Sequence, residues 1–181
     1  MHYAFFPTPL GQAALAWTPQ GLWALGLPEP TAALTLESLW VRRPAPPQAS
    51  PSEAELTPGA RLAAEGVRRL LGGEPPLTSL ELGSLDLRGL SPLRVQVYDA
   101  LLRLPLGSTT TYGALAKALG RPGASRAVGR TLGLNPWLVL VPCHRVLGAG
   151  GALGGYSAPG GTETKAWLLE LESRLQRAQG G

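Results

Sequence analysis

The character of the chain changes near residue 88, and that change limits what it can fold into. Upstream, "HYAFF", "QAALAW" and "LWALGL" are short aromatic and aliphatic runs parted by the turns "PTPLG" and "TPQG". Such punctuation predicts a meander of three antiparallel strands. "TAALTLESLWVRR" reads as a helix, and residues 59–71 as another, with Leu62, Ala63, Val67, Leu70 and Leu71 on its apolar stripe and Gly72-Gly73 at its end. Between them, the Pro/Ser-rich residues 44–53 read as a loop and the least ordered stretch. "PPLTSLELGSLDLRG" is expected to contain a strand and to carry the boundary.

Downstream, helices take over. Ser91-Pro92 is a cap followed by a first-turn proline, and it predicts a helix to about Leu104 with Val97, Leu101 and Leu104 inward. "TTYGALAKALG" and "ASRAVGRTLGL" predict two short helices joined by the tight turn "RPG", a helix-turn-helix candidate. "WLVLV" reads as a fully apolar strand, and "TETKAWLLELESRLQ" as an amphipathic helix with Trp167, Leu168, Leu171 and Leu175 inward. The expected class is α+β, with domains at 1–88 and 89–181, and 181 residues are enough to give both a core.

Charge follows the same division. Residues 1–88 hold six arginines and no lysine against eight acids, a net of −2; residues 89–181 hold ten basic residues against four acids, a net of +6. Charge gathered in the C-terminal half is what is expected when one part faces a polyanion. Arg126 and Arg130 are four apart, hence on one helix face, and Arg121 lies in the preceding turn. No apolar run reaches membrane-spanning length and no signal peptide follows Met1, so a soluble cytoplasmic protein is expected.

Cys143 is the only cysteine, and with two histidines it excludes an internal disulfide and a zinc site of the usual spacing. It comes after an apolar run and Pro142, with His144 and Arg145 next. A thiol attacks as thiolate and needs a group to take its proton; an imidazole held by a carboxylate is the usual arrangement. Adjacent side chains on extended backbone point opposite ways, so a Cys143–His144 relay requires a turn at 142–145 or a bridging water. Glu170 and Glu172 both lie at the margin of the last helix's apolar stripe, and periodicity does not choose between them. A cysteine hydrolase, a transcription factor with an incidental thiol, and an alkyl acceptor acting on nucleic acid all remain open on these residues.

"NPWLVLVPCHRVLGAGGALGGYS" with "KAWLLELE", extended upstream through "SPLRVQVYDALLRLPLGSTTTYGALAKALGRPGASRAVGRTLGLNP", closely resembles the active-site block of the O6-alkylguanine-DNA alkyltransferases. The resemblance covers roughly residues 85–172, and the "TPLG…GLWALGL" meander is similar more weakly. It implies a ribonuclease H-like N-terminal domain and a C-terminal winged-helix-like domain that docks its helix-turn-helix in the minor groove. It implies single-turnover repair of double-stranded DNA: an O6-alkylguanine is flipped out, its alkyl group passes irreversibly to Cys143, and O4-alkylthymine is a further substrate. By position Cys143 is the acceptor, His144 its base through a water, and Glu172 the helix carboxylate. Asn135 braces the turn, and Tyr112 donates a proton to the leaving guanine. Tyr156 and Ser157 form the pocket loop, with Ser157 a donor to the base, and Arg126 is the finger that replaces the extruded nucleotide. Arg145 is structural or phosphate-facing, and Arg130, Arg121 and Thr111 complete the DNA-facing set. Two residues more than usual separate Tyr156 from Lys165, and Leu93-Arg94 replaces the family's Phe-Gln as a packing swap. No cofactor or metal is implied, and a monomer is expected. Two alternatives stand beside this reading: a lesion-recognition relative without acceptor activity, against which Cys143 argues, and a helix-turn-helix regulator, against which the lack of base-reading Asn or Gln on "ASRAVGRTLGL" argues.

Overall fold

The computed structural model describes residues 1–43, 48–49, 56–76 and 80–179. The chain divides into two compact units, Met1–Arg88 with Pro136–Leu140, and Gly89–Asn135 with Val141–Gly181.

In the first unit the expected meander forms: β1 (His2–Thr8), β2 (Gly11–Thr18) and β3 (Gly21–Gly26) pair antiparallel, and β4 (Gln48–Ala49) joins β1 in parallel. The sheet order is β3-β2-β1-β4. Turn chemistry sets the register. Thr8 Oγ1 donates to Gly11 O at 2.8 Å, and Thr18 Oγ1 accepts from Gln20 N at 3.2 Å. Gly21 is required twice over: its φ is +137°, and a Cβ there would meet Ser84 O at 2.7 Å. Residues 13–18 of β2 are all buried, because both faces of the sheet are covered. Ala14, Ala16 and Ala24 pack with Leu39 of α1 (Ala32–Val41). The opposite face carries Ala13, paired with Phe6, and Arg68 of α2 (Pro58–Leu71) lies over the Phe6 ring at 6.0 Å.

Thr31 and Thr57 cap α1 and α2 by accepting from Leu34 N and Ala60 N. On α2 the buried stripe is Ala60, Ala63, Ala64, Val67, Leu70 and Leu71. Leu62, expected inward, is 40% exposed, because the stripe is carried by the alanines at 60 and 64. Of the expected loop 44–53, Gln48-Ala49 forms β4, and the rest lies outside the described residues. Among the described residues of 75–89 there is no strand. Leu82–Ser84 forms a 3-10 turn, Leu85 makes one bridge to Leu22, and Asp86 then turns its side chain inward onto Thr18.

"WLVLV" is not a strand either. Trp137 bridges Leu25, with Leu25 N donating to Pro136 O at 2.7 Å, and residues 138–140 then turn. Leu140 N donates to Leu138 O at 2.8 Å across Val139, whose φ is +70°. A second three-residue turn at Pro142 closes with Cys143 N on Val141 O at 2.7 Å.

The second unit holds α3 (Pro92–Leu102), β5 (Thr110–Thr111), α4 (Tyr112–Ala118), α5 (Ser125–Gly133), β6 (Val146–Leu147) and α6 (Gly161–Gln179). Ser91 caps α3, and Val97, Tyr98 and Leu101 are its buried face, with Leu104 half-buried beyond its end. The expected helix at 110–120 loses its first two threonines to β5, which pairs in parallel with β6; Thr111 then caps α4 by accepting from Ala114 N. The connection from α4 to α5 runs from Leu119 to Ala124, longer than the tight turn expected. Arg94 is more than a packing swap: its Nη2 donates to Leu134 O at 2.8 Å, at the C-terminus of α5. On α6 the buried residues are Lys165, Leu168, Leu171, Glu172 and Leu175, with Trp167 half-buried.

Candidate active site

Cys143 opens a 3-10 turn, Cys143–Arg145, directly after Pro142. The three side chains therefore fan out instead of alternating across a strand. Cys143 is 4% exposed. Asn135, fully buried, donates from Nδ2 to Val141 O at 2.8 Å and to Cys143 Sγ at 3.1 Å. An N–H aimed at sulfur favours the thiolate over the thiol.

His144 is buried, with Nε2 2.8 Å from Glu172 Oε1. Its other ring nitrogen, Nδ1, is buried and has no hydrogen-bond partner among the described residues. Arg145 donates from Nε to Glu172 Oε2 at 2.7 Å, from Nη2 to Oε1 at 2.9 Å, and from Nη1 to Leu104 O at 2.7 Å. Gly107 N completes the carboxylate's contacts at 3.3 Å. Gly107 has φ +73°, and a Cβ there would come 2.7 Å from Gln176 Oε1. Burial pushes the Glu172 carboxyl up, but the hydrogen bonds from His144 and Arg145 outweigh it and hold its pKa at about 2. Burial pulls the His144 imidazolium down, with the Arg145 charge in the same direction and Glu172 opposing. The imidazole is thus neutral at neutral pH, able to accept a proton. Glu170, the other carboxylate left open by periodicity, is exposed and lies 4.0 Å from Arg174.

Arg145 is 8% exposed and committed to Glu172 and the 104–105 carbonyls. Of the two readings of Arg145, structural or phosphate-facing, this geometry favours the first: the guanidinium is spent on Glu172 and the chain before Gly107, away from the surface. Lys165 is fully buried, donating to Val146 O at 2.7 Å. Burial pulls its ammonium pKa down, and the charge of Cys143 pulls it back up.

A pocket of about 350 Å³ opens on the sulfur, lined by Tyr112, Gly129, Leu132, Gly133, Gly155, Tyr156, Ser157 and Cys143. Tyr156 meets the His144 ring edge-on at 6.4 Å. Burial, and then the Cys143 charge, push the Tyr112 phenol pKa up, so it stays a proton donor. A second pocket, about 460 Å³, shares Tyr112 and Gly129 and adds Thr111, Gly113, Ser125, Arg126 and Ala149. Arg121, Arg126 and Arg130 are exposed. The structure thus gathers Cys143, Tyr112, Tyr156 and Ser157 around one pocket and places Arg126 and Thr111 at its neighbour. Sequence reasoning missed Gly129, Leu132 and Gly133 as pocket wall; glycines four apart on a short helix were the available signal. Among the described residues no cluster of three or more His, Cys, Asp or Glu is placed to hold a metal ion, and no helix is long and apolar enough to cross a membrane.

Fold and site together define a class: a protein with a single buried thiol beside a buried His–Glu–Arg cluster, opening on a pocket walled in part by α4 and α5. A family profile described as "6-O-methylguanine DNA methyltransferase, DNA binding domain" matches residues 92–174. The methylated-DNA--protein-cysteine methyltransferase of Mycolicibacterium paratuberculosis is 45% identical over 127 residues, 68% of this chain and 73% of that one. The protein of the same name from Methanosarcina acetivorans is 35% identical over 176 residues, 95% and 98% of the two chains. The crystal structure of Mycobacterium tuberculosis OGT in complex with DNA superposes with a TM-score of 0.70 at 36% identity, covering 97% of this chain and 94% of that one. The chain belongs to the methylated-DNA–protein-cysteine methyltransferase family.

Proposed function

We propose that this chain repairs DNA by taking a methyl or other alkyl group from O6 of guanine onto its own Cys143. The observation that carries the reading is the Cys143 sulfur at a pocket, held by Asn135, next to a neutral imidazole whose far nitrogen is fixed by a buried carboxylate. The thiol proton passes through a water to His144 Nδ1, and Glu172 stabilises the imidazolium that results. The thiolate attacks the alkyl carbon in line; the S–C bond forms as the C–O6 bond breaks, and the electron pair leaves on the guanine ring. Tyr112 gives that ring a proton, so the leaving group is neutral guanine. The thioether has no route back, so each molecule acts once.

An O6 substituent inside a stacked duplex cannot meet a buried sulfur in line, so the guanine must be flipped out. Tyr156 and Ser157 wall the pocket that receives it, and Arg126 fills the place it leaves. The helix-turn-helix of α4 and α5 docks in the minor groove, with Arg121, Arg130 and Thr111 on the phosphates. A ribonuclease H-like first domain, a winged-helix-like second one, action on O4-alkylthymine, and work as a cytoplasmic monomer are the remaining parts of the reading.

The test is peptide mass spectrometry after incubation with an O6-methylguanine oligonucleotide duplex. The Cys143 peptide gains one methylene in mass, and Cys143→Ala abolishes the gain while still binding lesion DNA. An unmodified peptide, with the methyl still on DNA, overturns the proposal.

A further inference from the structure

Five residues of the first unit, Pro136–Leu140, stand in the chain between Asn135 and the turn that carries Cys143. They are anchored at their start. Pro136 O accepts from Leu25 N at 2.7 Å, and Trp137, fully buried, donates from Nε1 to Leu22 O at 2.9 Å. The Arg43 guanidinium lies 3.5 Å from the Trp23 ring centroid and 5.6 Å from that of Trp137. It is itself fixed by hydrogen bonds to Asp86 O and to Arg88 O, and by an ion pair with Asp86 Oδ1 at 3.6 Å. A buried arginine held in this way is a rigid plate on the Trp23 ring, with the Trp137 ring at cation–π range.

Beyond this anchor the backbone is strained. Val139 has φ +70°, which places a β-branched side chain in the left-handed region. Such a residue persists where its surroundings over-determine it, and here the chain is anchored two residues earlier, at Trp137. At the two ends of the excursion, Asn135 Nδ2 reaches across to Val141 O and to the Cys143 sulfur. The distance from Asn135 to the sulfur therefore depends on how the five intervening residues are held.

We propose that Arg43 and Trp137 are positioning residues for the acceptor thiol: by holding the start of the strained excursion they keep the Asn135 amide on the Cys143 sulfur. This rests on the reading of Cys143 as the reactive group, but neither residue touches the sulfur. Loss of the clamp lets Val139 relax, withdraws the amide and makes the thiol harder to ionise.

The experiment uses the full chain and needs no DNA. The rate of carboxamidomethylation of Cys143 by iodoacetamide is followed from about pH 5 to about pH 9, across the ordinary thiol range. In Arg43→Ala the titration midpoint of the thiol rises by about one unit, so reaction at low pH slows about tenfold and converges on the parent rate at high pH. Trp137→Phe shifts the midpoint in the same direction by less, and carries the test should Arg43→Ala not fold. Arg68→Ala, which loosens α2 over Phe6 without touching the clamp, leaves the profile in place. Superimposable profiles in folded Arg43→Ala and Trp137→Phe overturn the proposal, as does an equal shift in Arg68→Ala. A parent protein that takes no methyl from lesion DNA ends the repair reading separately and does not alter these profiles.

Discussion

Two buried carboxylates, one in each unit, are built almost alike and differ in what their partners can do. Asp86 accepts from Thr18 Oγ1 at 2.6 Å and from Arg88 Nη2 at 2.5 Å, with Arg43 at 3.6 Å. Glu172 accepts from Arg145 at 2.7 and 2.9 Å and from His144 at 2.8 Å. Burial pushes each carboxyl up, hydrogen bonds from the partners win, and each pKa ends at about 2. A perturbed carboxylate therefore does not by itself mark an active site. The difference is in the partners. At Asp86 they are a hydroxyl and two permanently charged guanidinium groups, which do not titrate. At Glu172 one partner is an imidazole kept neutral by burial, with a free ring nitrogen and a thiol as its chain neighbour.

The largest expected effect separates the two directly. Glu172→Gln leaves His144 without an anionic partner for the imidazolium, so methyl transfer to Cys143 falls by roughly 10²–10⁴-fold near neutral pH. Asp86→Asn reaches the thiol only through the seat of Arg43; its transfer rate falls by about tenfold near neutral pH and recovers as the pH rises. Single-turnover rates on lesion duplex against pH decide it. An Asp86→Asn loss as deep as that of Glu172→Gln would erase the distinction.

In stability the two should look the same. Removing one partner of a buried ion pair leaves the other charge unmatched, and each substitution costs about 3–5 kcal/mol at neutral pH. Both carboxyls have folded pKa values below their unfolded ones, so their contribution is complete above about pH 4.5 and is lost as pH falls toward about 2. His144 is also depressed, so its contribution is complete above its unfolded value near 6.5 and falls away below that. Urea melts of the parent protein should thus weaken in two stages on acidification: a shallow one below about pH 6.5, absent from His144→Gln, and a steep one below about pH 4.5. A single stage confined to the carboxylate range would remove His144 from the buried neutral state.

How much of this was legible in the residues depends on which unit is considered. Cys143 and His144 are adjacent in sequence and were readable at once; the turn that separates their side chains is also local, set by Pro142. Strand punctuation by Pro and Gly was enough for the β1–β3 meander. The periodicity of α6 left Glu170 and Glu172 undecided, because the choice depends on Arg145 and Gly107, far away in the chain. "WLVLV" misled for a related reason. An apolar run says that a segment is buried, not that it is extended, and here Trp137 makes one bridge before the chain turns at Val139. The Asp86 cluster had no local signature, since Thr18, Arg43 and Asp86 meet only through the sheet.

Arg94 sharpens the comparison from its weak end. It is an arginine at work without any carboxylate: Nη2 donates to Leu134 O at 2.8 Å, Nε and Nη2 reach the Tyr98 hydroxyl at 3.3 Å, and that hydroxyl donates to Thr131 O at 3.1 Å. A cation on the last carbonyls of α5 complements the helix dipole. Arg94→Gln keeps a donor of shorter reach and removes the charge, so it should cost about 0.5–1.5 kcal/mol. Part of that cost should disappear in high salt, because the dipole interaction is screened. None of it should vary between about pH 4 and about pH 8, since no partner titrates there, and the rate of methyl transfer should be unchanged. A pH-dependent loss, or one as large as that of Asp86→Asn, would mean that arginine alone, and not the arginine–carboxylate pair, carries the stability assigned to both buried acids.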